Sequence, residues 1–225
     1  MRLLACYGGS FDPVHLGHLA VAREVRDAIG AEVALVPAAD PPHKDATHAD
    51  AAQRAEMLAL AIDGERGLRV DRRELERGGP SYTVDTLRLV RAAEGPHRPI
   101  AWVVGSDSLL RLDTWHRWRE LFAHAHVLAV ERPGAPLDPQ VVADQAPEVH
   151  RQVEARARPA PALALSPAGG FAVLRLAGPR PESSTRVRRL IAGGGDWERM
   201  LPPAVAGFIR GHRLYGYGAA TRAPL

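Results

Sequence analysis

The sequence is poor in cysteine and has no long apolar run. Cys6 is the only cysteine among the 225 residues, and it lies in a short apolar segment. A single cysteine excludes an intramolecular disulfide and a multi-cysteine metal site, so we expect a buried thiol in a strand. No apolar run reaches the ~18 residues of a membrane-spanning helix, and the first residues lack an apolar segment followed by a cleavage site. We therefore expect a cytoplasmic protein that binds no membrane.

The chain also lacks a strong excess of either charge. It has 29 Lys and Arg against 26 Asp and Glu, which gives a net charge of +3 with neutral His. Aromatic residues make up only 5%, and no compact Lys/Arg block with interleaved aromatics occurs. This composition disfavours an RNA-binding protein, so we expect no nucleic-acid partner. It suits an enzyme that handles anionic nucleotides.

Apolar residues make up 46% of the chain, which is enough to bury a sizeable core. Residues 1–7 and 32–37 are short apolar runs, and between them residues 16–29 have apolar positions at helical spacing, with Gly30 at the expected helix end. Gly8-Gly9 is expected to end the first strand. This strand, helix and strand predict an α/β fold, a Rossmann-like doubly wound parallel sheet with helices on both faces.

The same alternation continues along the chain. We predict helices at 49–62, 83–93, 118–123, 184–191 and 202–209, and strands at 68–71, 100–104, 125–131 and 171–176. Ser81 or Thr83 is the expected cap of the helix at 83–93. Residues 40–44 are expected to be a loop because they contain two prolines. We predict one domain over residues 1–225, with a frayed tail at 219–225. A Pro/Ala-rich surface excursion at 132–170 would hold a helix near 140–157.

Residues 8–18 combine two glycines and two histidines directly after the first strand. They are Gly-Gly-Ser-Phe-Asp-Pro-Val-His-Leu-Gly-His. Glycines let backbone N–H groups approach an anion and adopt positive φ, and the N-terminus of the next helix carries partial positive charge. His15 and His18 fall on one face of the first helical turn, where each can donate to a phosphate oxygen. The segment is neither the dinucleotide fingerprint nor a Walker A loop.

This segment resembles the signature of the nucleotidyltransferase superfamily with a His-x-Gly-His motif. Further segments are similar, in order, to those of bacterial nicotinate mononucleotide adenylyltransferases: residues 41–44, 53–57, 81–87, 105–107, 115–118, 182–188 and 201–215. The resemblance spans roughly residues 1–217. It implies transfer of AMP from ATP to nicotinate mononucleotide, which gives deamido-NAD and pyrophosphate. Mg²⁺ would be carried by the ATP phosphates, with no metal ligand from a protein side chain.

The resemblance also implies an ATP site. Its residues would be Gly8, Gly9, Ser10, Phe11, His15, His18, Asp107, Ser183, Ser184, Thr185 and Arg188. His15, His18 and Arg188 would be catalytic as charge stabilisers, because the acceptor phosphate is already ionised and needs no general base. From sequence alone, Ser184 and Thr185 could instead be an ordinary helix cap. Ser106 or Asp107 could likewise cap a helix without binding the nucleotide.

For the acceptor, the resemblance implies contacts from two aromatic segments and two cations. Tyr82 and Thr83 would offer N–H groups to a ring carboxylate at a helix N-terminus. Trp115 would stack on the pyridine ring, beside His116 at a position that is often aromatic, whereas Trp118 is expected in the core. Lys44 and Arg132 would neutralise the acceptor phosphate, although Lys44 could equally be solvated.

Two positions depart from the family pattern. Glu182 stands where an apolar residue usually precedes Ser-Ser-Thr, and a carboxylate near a triphosphate is unfavourable unless it points to solvent. Ser10 replaces the commoner threonine and keeps the hydroxyl. The alternatives are an adenylyltransferase of the same fold acting on nicotinamide mononucleotide or phosphopantetheine, and a non-catalytic nucleotide-binding regulator. The sequence leaves open whether the protein is a monomer or a homo-oligomer.

Overall fold

A parallel β-sheet forms the centre of the molecule. The computed structural model describes residues 1–39, 47–131, 137–178 and 181–218. The strands are β1 Leu4–Gly9, β2 Glu32–Pro37, β3 Leu68–Val70, β4 Ile100–Gly105, β5 His126–Glu131 and β6 Phe171–Arg175. Each neighbouring pair is parallel, in the order β3-β2-β1-β4-β5-β6. The strand order reverses between β1 and β4, where a doubly wound sheet opens its ligand crevice.

Ten helices and five short 3₁₀ turns occur in the described ranges. They are α1 Leu16–Ile29, α2 Ala51–Ala61, α3 Arg73–Arg77, α4 Thr83–Glu94, α5 Ser106–Leu109, α6 Leu121–His124, α7 Pro139–Gln145, α8 Pro147–Glu154, α9 Ser184–Ala192 and α10 Pro203–Gly211. The 3₁₀ turns are Leu112–Thr114, Trp118–Glu120, Ala160–Leu165, Glu198–Met200 and Leu214–Gly216. No helix of the described chain is long and apolar enough to cross a bilayer.

The sheet separates two apolar cores, and successive residues of its first strand face opposite sides. Leu3, Ala5 and Tyr7 pack in one core with α1, α2, α9 and α10. Leu4 and Cys6 pack in the other with α4, α6 and α8. Burial raises the pKa of the Cys6 thiol to about 12, so the thiol is inert, as expected for a strand residue. Helices cover both faces, and the predicted fold class is confirmed.

Several sequence-based boundaries are confirmed where local signals are strong. Helix α1 and strand β2 have the predicted bounds. Gly30 follows α1 in the left-handed region with φ 61°, and its N–H donates to the Arg26 carbonyl. The predicted elements at 40–44 and 219–225, and the first residues of the 132–170 excursion, lie outside the described residues.

The strand β1 corrects two expectations about the glycine pair. Gly8 and Gly9 continue β1, pairing with Val36 and Pro37 of β2. Neither glycine has positive φ; the left-handed residue in this segment is Phe11, with φ 49°. Gly8 is required by packing, because a Cβ there would lie 2.3 Å from the Trp102 ring.

The 132–170 stretch is more integrated than a surface excursion. The predicted helix at 140–157 is two helices, α7 and α8, because Pro147 lacks an N–H and starts a new helix. Val149 and Val153 of α8 pack in the core shared with α4. Leu163 packs in the opposite core. The single domain over 1–225 stays a prediction.

Two further expectations about helix ends are wrong. The N-cap of α4 is Tyr82, without a side-chain hydrogen bond, because the Ser81 hydroxyl accepts from the Ala39 N–H at 3.0 Å instead. Gly211 is the last residue of α10 and not the residue after it. No sequence pattern predicted the short helix α3.

Two glycines of the described chain should respond in opposite ways to alanine. Gly207 lies inside α10, and nothing lies within 4 Å of a Cβ placed there. We expect Gly207→Ala to raise the free energy of unfolding by about 0.5–1 kcal/mol, since alanine is the better helix former. Gly8→Ala should lower it by about 1–3 kcal/mol through the clash with Trp102. Urea unfolding at constant m-value measures both, and shifts of the same sign would contradict the packing argument.

Candidate active site

A cleft of about 780 Å³ opens at the carboxyl ends of β1 and β4, where the strand order reverses. The N-terminal ends of α1, α4, α5 and α9 border this cleft. Helix N-termini carry partial positive charge and unpaired N–H groups, so a cleft bordered by several of them is suited to an anionic ligand.

The structure brings most of the sequence-predicted site residues to this cleft. The lining includes Gly8, Gly9, Ser10, His15, His18, Tyr82, Thr83, Asp107, Trp115, His116, Ser183, Ser184, Thr185 and Arg188. The ring of Phe11 does not line the cleft, because its side chain is 1% exposed and packs in the core. Lys44 and Arg132 lie outside the described residues.

His15 and His18 cap α1 reciprocally. The His15 N–H donates to His18 Nδ1 and the His18 N–H donates to His15 Nδ1, each at 3.3 Å. The two rings stack with centroids 3.6 Å apart. Because each Nδ1 accepts a hydrogen bond, the neutral rings carry their proton on Nε2. The capping geometry therefore makes both rings hydrogen-bond donors, which is what a phosphate oxygen needs.

The loop after β1 is held in a strained conformation. Phe11 has φ 49°, a region that costs a non-glycine residue about 1 kcal/mol or more. Its ring makes edge contacts with Tyr7 at 5.6 Å and with His18 at 5.0 Å. Burial of the ring offsets the backbone cost and fixes the position of His18.

Asp12 is a buried carboxylate that ties this loop to distant parts of the chain. It is 3% exposed. Its side chain accepts from the N–H groups of His48 at 2.8 Å and Ala49 at 3.1 Å, and from the Tyr215 hydroxyl at 2.8 Å. Burial, followed by the nearby Asp12 charge, raises the pKa of Tyr215, so the phenol stays a donor. These three donors therefore satisfy the buried oxygens of the Asp12 side chain.

Arg54 holds the same loop from α2 and was not assigned a role from the sequence. Its guanidinium is fully buried and donates to the carbonyls of Ser10 at 2.7 Å, Ala49 at 3.2 Å and Ala39 at 3.3 Å. Burial lowers the pKa of Arg54, while the charge of Asp12 opposes that shift. Helical spacing places Arg54 on the same face as the buried Leu58, and this signal could have identified it.

We expect Arg54→Met to lower the free energy of unfolding by about 3 kcal/mol or more. The substitution leaves the three carbonyls without their donor and removes the positive charge that faces Asp12. Arg72→Met is the matched control, because the Arg72 side chain is exposed and pairs with Glu56 at the surface. Denaturant unfolding of both variants makes the comparison, and equal losses would contradict this role of Arg54.

The N-terminus of α9 is attached to the same loop. Ser183 caps the helix by accepting from the Arg186 N–H at 3.2 Å, which leaves the Ser184 hydroxyl to donate to the Pro13 carbonyl at 3.0 Å. Arg188 donates to the Asp12 carbonyl at 2.6 Å. The N-terminal turns of α1 and α9 therefore meet at one loop, and the cap suggested for 184–185 belongs to Ser183.

Aromatic residues form the opposite side of the cleft. The rings of Tyr82 and His116 lie 4.5 Å apart at an interplanar angle of 35°. Trp115 is half-buried and lines the cleft, whereas Trp118 is 5% exposed and belongs to the core, as expected. The Tyr82 N–H donates to the Pro80 carbonyl at 3.1 Å, which leaves the N–H of Thr83, the first residue of α4, better placed for a ligand.

Asp107 lies exposed at the cleft in the first turn of α5. The N-cap of this helix is Gly105, so neither Ser106 nor Asp107 caps it. The Ser106 hydroxyl instead lies 3.5 Å from the Val130 carbonyl. The cap alternative for Asp107 is therefore wrong, and a ligand role stays a prediction.

Glu74 is a buried carboxyl group beneath the N-terminus of α4. It is 4% exposed and accepts from the Thr86 hydroxyl at 2.6 Å. Burial raises the pKa of Glu74, against hydrogen bonds from Ser81 and Thr86 that lower it. Because Glu74 contacts both ends of the segment 81–86, it positions the first turn of α4 at the cleft.

The raised pKa of Glu74 predicts a pH-dependent stability. The protonated form is favoured in the folded state, so its contribution is present at low pH and is lost as the pH rises through the raised pKa. We expect Glu74→Gln, neutral at every pH, to be more stable than the wild type by a margin that grows from acid to alkaline pH. Urea unfolding over a pH series measures the margin. Glu76→Gln, at an exposed site on α3, is the control, and a pH-independent margin for Glu74→Gln would contradict the assignment.

Glu182 is partly exposed in the cleft, but one of its carboxylate oxygens is shielded from solvent. Its Oε2 atom is buried, and no hydrogen-bond partner for it occurs in the described part of the chain. This oxygen lies 3.2 Å from the position that a Cβ on Gly17 would occupy, and His15 Nδ1 lies 3.0 Å from that same position. A carboxylate therefore lies beside the His-x-Gly-His motif, which is the arrangement that the sequence analysis considered unfavourable.

Comparison with known proteins defines the class. The family described as cytidylyltransferase-like matches residues 6–190, which is most of the chain. The chain therefore belongs to the cytidylyltransferase-like family, and the predicted nucleotidyltransferase class is confirmed.

The names of similar proteins within that class describe a narrower activity. The chain is 52% identical over 222 residues to the "Probable nicotinate-nucleotide adenylyltransferase" of Stenotrophomonas maltophilia (strain K279a), covering 96% of this chain and 97% of that protein. The protein of the same name from Laribacter hongkongensis (strain HLHK9) is 46% identical, with 94% of each chain covered. The resemblance inferred from the motifs is thereby confirmed.

A solved structure supports the fold. Plasmodium falciparum nicotinic acid mononucleotide adenylyltransferase, complexed with NaAD, superposes with a TM-score of 0.71 at 16% identity. The match covers 97% of this chain and 100% of that one. At this identity the similarity bears on the fold alone.

Proposed function

We propose that the protein transfers AMP from ATP to nicotinate mononucleotide, releasing pyrophosphate and forming deamido-NAD in NAD biosynthesis. One observation carries the proposal: the N-termini of α1 and α9 meet at the loop after β1, with His15, His18 and Arg188 around it. The names of the relatives at 52% and 46% identity support the choice of substrates.

The chemistry requires alignment and charge neutralisation. An oxygen of the nicotinate mononucleotide phosphate attacks the α-phosphorus of ATP and forms a new P–O bond. The bond from that phosphorus to the oxygen bridging the β-phosphate breaks, and pyrophosphate leaves with the electron pair. The attacking phosphate is already ionised, so the enzyme needs donors around the developing charge and no base. Nε2–H groups on His15 and His18, and the guanidinium of Arg188, supply that type of group.

The acceptor would bind on the aromatic side of the cleft. Trp115 and the Tyr82–His116 pair offer faces on which a pyridine ring can stack. The N–H of Thr83 at the start of α4 is suited to the ring carboxylate. Lys44 and Arg132 remain predicted contacts of the acceptor phosphate.

Mg²⁺ is proposed to enter with the ATP phosphates, where it supplies positive charge to the leaving pyrophosphate. In the ranges that the structure describes, no group of three or more His, Cys, Asp or Glu is arranged to hold a metal ion. The proposal gives the ion phosphate oxygens as its ligands. A cytoplasmic location, with direct access to ATP, is part of the same proposal.

Pyrophosphate release tests the proposal directly. The protein is mixed with Mg-ATP and, separately, nicotinate mononucleotide, nicotinamide mononucleotide or phosphopantetheine. We expect rapid release with nicotinate mononucleotide and little with the other two. No release with nicotinate mononucleotide would overturn the substrate assignment, whereas equal release with the amide would overturn only the proposed carboxylate recognition.

A variant of the first helical turn links this activity to the cleft. We expect His18→Ala to lower turnover by about a hundredfold to a thousandfold while the fold survives, because one preorganised donor to the reacting phosphates is lost. His97→Ala, which removes an exposed imidazole outside the cleft, is the control. Near-normal turnover of His18→Ala would remove His18 from the mechanism.

A further inference from the structure

Glu182 places a carboxylate in the cleft where the negatively charged phosphates of ATP are proposed to bind. It precedes the cap of α9 and lines the cleft together with His15, His18 and Arg188. Its Oε2 atom is buried beside Gly17, in the first turn of α1. A buried carboxylate oxygen without a hydrogen bond costs free energy, so this arrangement needs a compensating attraction.

The N-terminus of α1 supplies that attraction. Its partial positive charge favours an anion near the first turn, although no N–H of the described chain donates to this oxygen, and Gly17 has no side chain to keep the carboxylate away. A Cβ on Gly17 would approach Glu182 Oε2 to 3.2 Å, so the carboxylate fills the space over this helix turn. The same space and the same field suit an oxygen of a polyphosphate.

We propose that the Glu182 carboxylate fills the space beside the first turn of α1 that a polyphosphate oxygen would take, so that Glu182 and a polyphosphate compete for it. The inference rests on the proposed function in naming ATP as the polyphosphate that binds. The competition itself is argued from the position of Glu182. Glu182 thereby lowers the affinity for ATP.

The competition predicts which kinetic constants depend on Glu182. Polyphosphate must overcome both the occupied position and the nearby like charge, so ATP and pyrophosphate are affected. Nicotinate mononucleotide binds on the aromatic side and should be unaffected. A merely structural role would instead change stability or all constants together.

Glu182→Gln is the decisive variant, because it keeps the shape and removes the charge. We expect it to bind inorganic tripolyphosphate about tenfold more tightly by titration calorimetry, as the loss of one nearby like charge implies. In turnover assays the KM for ATP and the inhibition constant of pyrophosphate should fall by a similar factor, while the KM for nicotinate mononucleotide stays unchanged.

Glu154→Gln is the matched control, since this side chain is 72% exposed on α8 and does not line the cleft. It should bind tripolyphosphate like the wild type. A Glu182→Gln protein that folds normally by thermal unfolding and binds tripolyphosphate no more tightly than the wild type overturns the inference. Tripolyphosphate binding needs no acceptor, so this result is independent of whether nicotinate mononucleotide is the substrate.

Discussion

The loop between β1 and α1 depends on two buried charges. Asp12 lies within the loop and accepts N–H and hydroxyl groups from distant residues, whereas Arg54 lies on α2 and donates to three carbonyls, including that of Ser10 in the loop. Neither charge is exposed to water, so each must be satisfied by the protein. Their network compensates for the strained Phe11 backbone and fixes the two histidines that follow.

The same loop explains why two helices share one site. Ser184 and Arg188 of α9 bind its carbonyls, and the histidine pair caps α1 at its other end. The N–H groups at the starts of α1 and α9 and the guanidinium of Arg188 therefore face one region of the cleft. Glu182 adds a negative charge beside this positive field, and the proposed competition links this departure from the family pattern to nucleotide affinity.

Local patterns predicted most of the fold and many site positions. Helix α1 was predicted to the residue because its apolar periodicity and Gly30 agree, and strand β2 because its apolar run is continuous. The motif residues line one cleft because parallel strands end at the same edge of the sheet. Predictions failed where packing or an unexpected backbone conformation decided: β1 continues through Gly8 and Gly9, and Pro147 divides a helix that composition alone joined.

The sequence by itself determined the class of chemistry, since the glycines, the histidine pair and the Ser-Ser-Thr element are short motifs readable in order. Only the tertiary structure decided which distant residues position these motifs and which charge lies beside them. Tyr215 reaches Asp12 across 203 residues of sequence, and Glu182 lies beside Gly17 although they come from different ends of the chain. Contacts of this range leave no local pattern, because they follow from how strands and helices pack and not from the spacing of neighbouring residues.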